Sequence, residues 1–113
     1  MTMADCIFCR IVAGEIPATL VYDDDRAIAF NDLKPAAPFH VLVVPRAHVA
    51  RLADLEDPAL AGHLLNVVRK VAADAGHAEN FRLVVNNGDH AGQSVWHLHL
   101  HVLGGRQFSW PPG

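Results

Sequence analysis

Residues 97 to 103 run His-Leu-His-Leu-His-Val-Leu, three histidines in strict alternation with apolar residues. A period of two is the side-chain period of a β-strand, so the imidazoles share one face while Leu98, Leu100 and Val102 share the other. One face is expected to be core and the other to carry chemistry. At about 3.3 Å of rise per residue, His97 and His101 lie roughly 13 Å apart along such a strand, too far to ligate one metal ion together. The three histidines are therefore expected to divide their work.

The 113 residues suit one domain with a modest core, for which an oligomer would add stability. With 51% apolar and 19% charged residues and no repeat, the composition is that of a soluble globular protein. A net charge of −3 and the lack of any lysine or arginine run argue against nucleic acid as the main partner. The first ten residues lack a basic start and a long apolar stretch, and nothing reaches a membrane-spanning length, so a cytoplasmic protein without membrane contact is expected. In a reducing compartment Cys6 and Cys9 stay thiols, which favours metal binding over a disulfide.

Residues 6–13 read as a short helix stopped by Gly14, with Cys6 and Cys9 on one face. Leu20 to Tyr22 and Ala27 to Phe30 flank the polar cluster Asp23-Asp24-Asp25-Arg26 and predict a β-hairpin. A proline-rich loop, residues 34–38, leads into a strand over residues 39–44 ended by Pro45. Asp57-Pro58 starts a long helix to about Ala75, apolar at Leu60, Leu64, Val67, Val68 and Val71, with Gly76 as terminator. Residues 81–86 form another strand, and Asn87 to Ser94 make a turn into the histidine strand. An antiparallel sheet with a long helix packed on it, an α+β fold, follows.

Imidazole can be a nucleophile, a proton carrier or a metal ligand. The turn Gly92-Gln93-Ser94 can aim backbone N–H groups and the Ser94 hydroxyl at an anion, and together with the histidines it suggests phosphoryl or acyl transfer. Cys6 and Cys9 cannot close a tetrahedral zinc site alone, and His48 and His97 are candidates to complete it, leaving His99 and His101 free. Four protein ligands would make such a zinc structural. His40 opens a strand within reach of the triad face. Asp32 suits either a ligand diol or a turn. His63, His77 and His90 are read as surface or structural residues, and Trp110 in the terminal segment as an anchor to a surface or partner subunit.

The chain resembles the histidine triad (HIT) superfamily, whose signature His-φ-His-φ-His-φ-φ, with φ apolar, is matched at every position from 97 to 103. Asn31-Asp32 with Pro35, His40 to Pro45, His48, Val85-Asn86, Gly92 to Val95, Leu103 to Arg106 and Trp110-Pro111-Pro112-Gly113 are similar to the Hint branch. That resemblance implies a five-stranded antiparallel sheet with one long and one short helix. It also implies a single HIT domain over residues 1–113, with tails at 1–4 and 107–113, and a homodimer whose sheets join into ten strands.

The activity it implies is hydrolysis of the P–N bond of purine nucleoside 5′-monophosphate amidates through a nucleotidyl-histidine intermediate, with no Mg²⁺ required. His99 would be the nucleophile. His101 would contact the phosphate as a charged donor, His40 would support proton relay, and Ser94 would assist catalysis. Asp32 would hold the ribose, Asn86, Gln93 and Ser94 would contact phosphate or leaving group, and Phe8, Ile11, Phe30 and Leu33 would wall the base. Structural zinc would sit on Cys6, Cys9, His48 and His97. Hydrolysis of dinucleoside polyphosphates, or a nucleotide-binding scaffold without catalysis, are the alternatives.

Overall fold

The computed structural model describes residues 5–113; the tail expected at residues 1–4 lies outside the described residues. In chain order the elements are α1 (Ile7–Val12), β1 (Leu20–Asp23), β2 (Ala27–Asn31), β3 (Phe39–Pro45), α2 (Pro58–Asp74), β4 (Arg82–Val84) and β5 (Leu100–Gly104), with short 3-10 turns at Leu52–Asp54 and Asp89–Ala91. The strands form one antiparallel sheet in the order β1-β2-β3-β5-β4. This is the expected α+β architecture.

The sheet is covered on both faces, so β2 and β3 are buried almost throughout. Ala27, Ala29, Val41, Val43, Leu98, Leu100 and Val102 pack under the apolar stripe of α2. The alternate residues Ile28, Phe30, Leu42 and Val44 pack with Cys6 and Phe8 of the α1 region. Period-two alternation thus assigns each strand residue to one helix layer or the other. The histidines fall on the α1 side.

Helix α2 begins where expected. The Asp57 carboxylate accepts from the amides of Ala59 and Leu60 at 3.0 and 3.1 Å, and Pro58 occupies the first turn, where its missing N–H costs nothing. His63 is more than a surface residue: its Nε2 meets Asp24 Oδ2 at 2.7 Å, tying α2 to the β1–β2 turn. His77 lies against the Phe39 ring, 4.7 Å between centroids.

The strand expected over residues 97 to 103 is regular only from Leu100. Its register on β3 runs from Phe39–Gly104 to Val43–Leu100, so the next inward-paired positions would be Pro45 and Leu98. Proline has no N–H to give the ladder. The Leu98 amide instead donates to the Val49 carbonyl at 2.7 Å, His97 sits in a bend, and Leu98 and His99 lie outside the ladder. The β4 strand, which pairs only with β5, ends at the same level and is three residues long where six were expected.

Candidate active site and metal cluster

A cavity of about 500 Å³ opens on the α1 face of the sheet. Phe8 and Ile11 of α1, Phe30 at the end of β2 and Leu42 of β3 supply apolar wall, while Asp32, Ser94, His99 and His101 supply the polar side. Leu33 is on the rim and 94% exposed. Sequence reasoning had no signal for Ile16, Pro17 and Thr19, which also line the cavity from the α1–β1 connection.

Asn86 and Gln93 are not among the cavity-lining residues. Gln93 is buried, with its side-chain oxygen accepting from the Gly88 amide at 2.9 Å and its amide donating to the carbonyls of Ala50 and Val95 at 2.7 and 3.0 Å. It braces the loop that presents Ser94. That loop turns at Gly92, whose φ of +95° few residues but glycine adopt.

His99 is buried, and its Nδ1 lies 2.8 Å from the carbonyl oxygen of His97. A carbonyl only accepts, so Nδ1 carries the proton and Nε2 keeps its lone pair. The ring of His101 is 5.0 Å away and that of Phe8 is 5.2 Å away, both edge-on. His99 is thereby fixed in tautomer and in orientation.

His101 is held from the opposite sense. The Ala36 amide donates to His40 Nδ1 at 2.9 Å, so His40 carries its proton on Nε2, which meets His101 Nδ1 at 2.9 Å. His101 accepts there and keeps its own proton on Nε2. The two histidines are diagonal neighbours on one sheet face, because His40 faces Leu103 and Leu42 faces His101. Burial first, then the neighbouring His99 and His40, push the His101 pKa down to about 4, against a smaller upward pull from Asp32. Burial lowers His40 as well, again opposed by Asp32. With its pKa lowered in this way, His101 is a neutral donor at pH 7 in the free protein.

Asp32 forms the turn and also faces the cavity. Its Oδ1 accepts from the Lys34 amide at 2.8 Å, as a turn former does, while Oδ2 lies 3.5 Å from His40 Nε2 and the residue lines the cavity.

The ligand atoms of Cys6, Cys9, His48 and His97 all lie within 4.8 Å of one another. Nδ1 of His97 is 3.4 Å from Cys6 Sγ and 3.5 Å from Cys9 Sγ, and Nδ1 of His48 is 3.1 Å from Cys9 Sγ. Tetrahedral zinc, with bonds of about 2.3 Å to sulfur and 2.0–2.1 Å to nitrogen, spaces these donors roughly 3.6 Å apart. The residues therefore fit a metal ion. The outer nitrogen of His97, Nε2, donates to the Pro45 carbonyl at 2.8 Å, the hydrogen bond that aims the other nitrogen's lone pair at a metal. Burial brings the His97 pKa down to about 4 and raises that of Cys9 to about 11, the latter aided by its contact with Cys6.

The oxygen and nitrogen atoms of Asp32, His40 and His101 are equally close together. Here the Ala36 amide on His40 Nδ1 puts a proton on the very nitrogen that a metal would need, so the donor set of this second cluster does not suit a metal.

Comparison with known proteins agrees with this geometry. The HIT domain family matches residues 13–108. Over 111 residues, 96% of this chain and 97% of the relative, the sequence is 56% identical to an uncharacterised HIT-like protein of Synechocystis sp.. A HIT family hydrolase from Legionella pneumophila has the same fold, with a TM-score of 0.94 at 46% identity, covering 96% of this chain and all of the other. A histidine triad protein from Clostridium difficile follows at a TM-score of 0.90 and 46% identity, covering 96% and 97% of the two chains. The chain belongs to the HIT domain family. Its kinship with solved hydrolases makes it a HIT family hydrolase-like protein.

Proposed function

We propose that the protein hydrolyses purine nucleoside 5′-phosphoramidates, with His99 as the nucleophile that is transiently nucleotidylated. The observation that carries this reading is the His99 hydrogen bond to its own strand: Nδ1–H on the His97 carbonyl leaves the Nε2 lone pair available in a residue that lines the cavity. A purine suits the wall formed by Phe8, Ile11, Phe30 and Leu33, and the ribose hydroxyls suit the Asp32 carboxylate at the cavity.

In the first step His99 Nε2 bonds to phosphorus as the P–N bond breaks, and the leaving nitrogen takes the proton from His101 Nε2. When the anionic phosphoryl group enters, His40 Nδ1 exchanges its contact with the Ala36 amide for a proton from solvent and passes its Nε2 proton to His101 Nδ1, so that His101 carries a proton on both nitrogens; the adjacent negative charge offsets the burial that keeps it neutral in the free protein. In the second step water attacks phosphorus, the bond to His99 breaks, and the water's proton goes to His101. Ser94 at the cavity edge is placed to donate to a phosphoryl oxygen. Cys6, Cys9, His48 and His97 would hold zinc, which with four protein ligands would have no open position and would supply structure rather than chemistry.

The same reading includes a homodimer. What supports it is the unpaired outer edge of β4 and the exposure of Leu65, Leu83 and Trp110, at 54%, 36% and 82%. Sedimentation at micromolar concentration tests it, and a monomer there refutes it.

Turnover of adenosine 5′-phosphoramidate compared with diadenosine polyphosphates tests the activity. Release of ammonia and adenosine monophosphate is expected. Cleavage of the polyphosphates alone would overturn the substrate class, and the absence of any turnover together with retained nucleotide binding would favour the scaffold reading.

A further inference from the structure

The metal cluster and the cavity share parts. Helix α1 has only six residues, too few to hold its shape in isolation, and the hydrogen bonds its backbone makes are local. Its first turn is pinned by Cys6, which caps the helix by accepting from the Cys9 amide at 3.4 Å, and by the contacts of both thiols with His48 and His97. Between those cysteines sits Phe8. It is 7% exposed, stands edge-on to His97, His99 and Phe30 at 5.9, 5.2 and 5.5 Å, and forms cavity wall.

A second route runs through the backbone. His97 offers Nδ1 to the cluster, anchors Nε2 on Pro45, and presents its carbonyl to His99 Nδ1. The residue whose ring meets the thiols is therefore the one whose carbonyl orients His99. The helix wall and the nucleophile are thus both fastened to the same four donors.

We propose that metal held by Cys6, Cys9, His48 and His97 and nucleotide held in the cavity are thermodynamically linked, each tightening the binding of the other. Phe8 and the His97 carbonyl are the positioning elements that carry the linkage. The inference rests on the reading that the cavity takes a purine nucleoside monophosphate. Linkage is reciprocal, so one coupling factor must appear in both directions.

The test uses the full chain, zinc-loaded or stripped with a chelator, and adenosine monophosphate as probe. Calorimetry is expected to give about tenfold weaker nucleotide binding after stripping, within the usual range of allosteric couplings. Competition with a chromophoric chelator should then show zinc held more tightly by the same factor when the nucleotide is saturating. Should stripping unfold the chain, cobalt-loaded protein supplies the measurement without a metal-free state: its visible thiolate-cobalt bands should shift as nucleotide is added. The His48→Ala variant, altered at a ligand that does not line the cavity, should lose nucleotide affinity at zinc concentrations that leave its site empty and recover it as zinc is raised. Equal nucleotide affinity with and without zinc overturns the linkage, as do cobalt bands indifferent to the nucleotide. Failure of the loaded protein to bind nucleotide at all overturns the nucleotide reading, and the linkage with it.

Discussion

Two histidine clusters occupy one face of this sheet, and they meet where the ring of His99 stands edge-on to that of His101, 5.0 Å between centroids. In the first, His97 sends its outer nitrogen to a carbonyl oxygen, and His99 beside it does the same with its own. In the second, the outer nitrogen of His40 receives an amide N–H. A carbonyl partner protonates the near nitrogen and frees the far lone pair for an electrophile, whereas an amide partner leaves the proton on the far nitrogen for donation. One backbone atom per ring therefore decides between a lone-pair donor and a proton donor.

The hardest blow to that distinction comes at His99. His99→Ala is expected to lower kcat/KM for adenosine 5′-phosphoramidate by at least about 10³-fold, as loss of a nucleophile does, with no labelled nucleotide retained on the denatured protein. Covalent labelling that survives in this variant would move the nucleophile elsewhere, His101 being the next to examine.

Stability should separate the clusters next. Cys6→Ser is expected to reduce bound zinc from about one per chain to well below that and to lower Tm by on the order of 10 °C, because a ligand of a folding-coupled metal is lost. His101→Gln should leave zinc content unchanged. Elemental analysis beside thermal denaturation checks both, and zinc lost from the His101 variant would mean the clusters are not chemically distinct.

Much of the arrangement on the α1 face was legible in the sequence, and the limit of that legibility is physical. The alternation of residues 97 to 103 assigned Leu98, Leu100 and Val102 to the α2 core and the imidazoles to the other side, as observed. Asp57-Pro58 placed the start of α2. Ligand count drew His48 and His97 to Cys6 and Cys9, which the fold brings together. The partners that set each tautomer, the carbonyls of Pro45 and His97 and the amide of Ala36, are backbone groups common to every residue and leave no mark in a sequence. The early end of the histidine strand was hidden for a related reason. Pro45 is visible as a strand stop, but that it faces Leu98 depends on a long-range register.

A smaller effect is expected at His40. His40→Leu removes both the acceptor for the Ala36 amide and the donor to His101, and should lower kcat by roughly 10²-fold, the usual scale for acid-base assistance. His40→Gln keeps an oxygen that can accept and an amide that can donate, so it should recover part of that loss. If leucine and glutamine behave alike, His40 is merely filling space.

The mildest prediction is a slope with pH. His101 and His40 are both held below the ordinary histidine pKa by burial, His101 at about 4. Since the unfolded chain titrates near 6.5, it binds more protons than the folded one between those values. The stability that their neutral forms provide is therefore fully present above pH 6.5 and is lost as the pH falls toward 4. Metal release also destabilises in acid, but it acts equally on wild type and His101→Gln, so the difference between their Tm values isolates the imidazole. That difference should shift against the wild type on going from pH 7 to pH 4.5. A constant offset would mean that His101 is not held neutral by the fold, and the contrast between a proton-donating and a lone-pair-donating cluster would lose its second member.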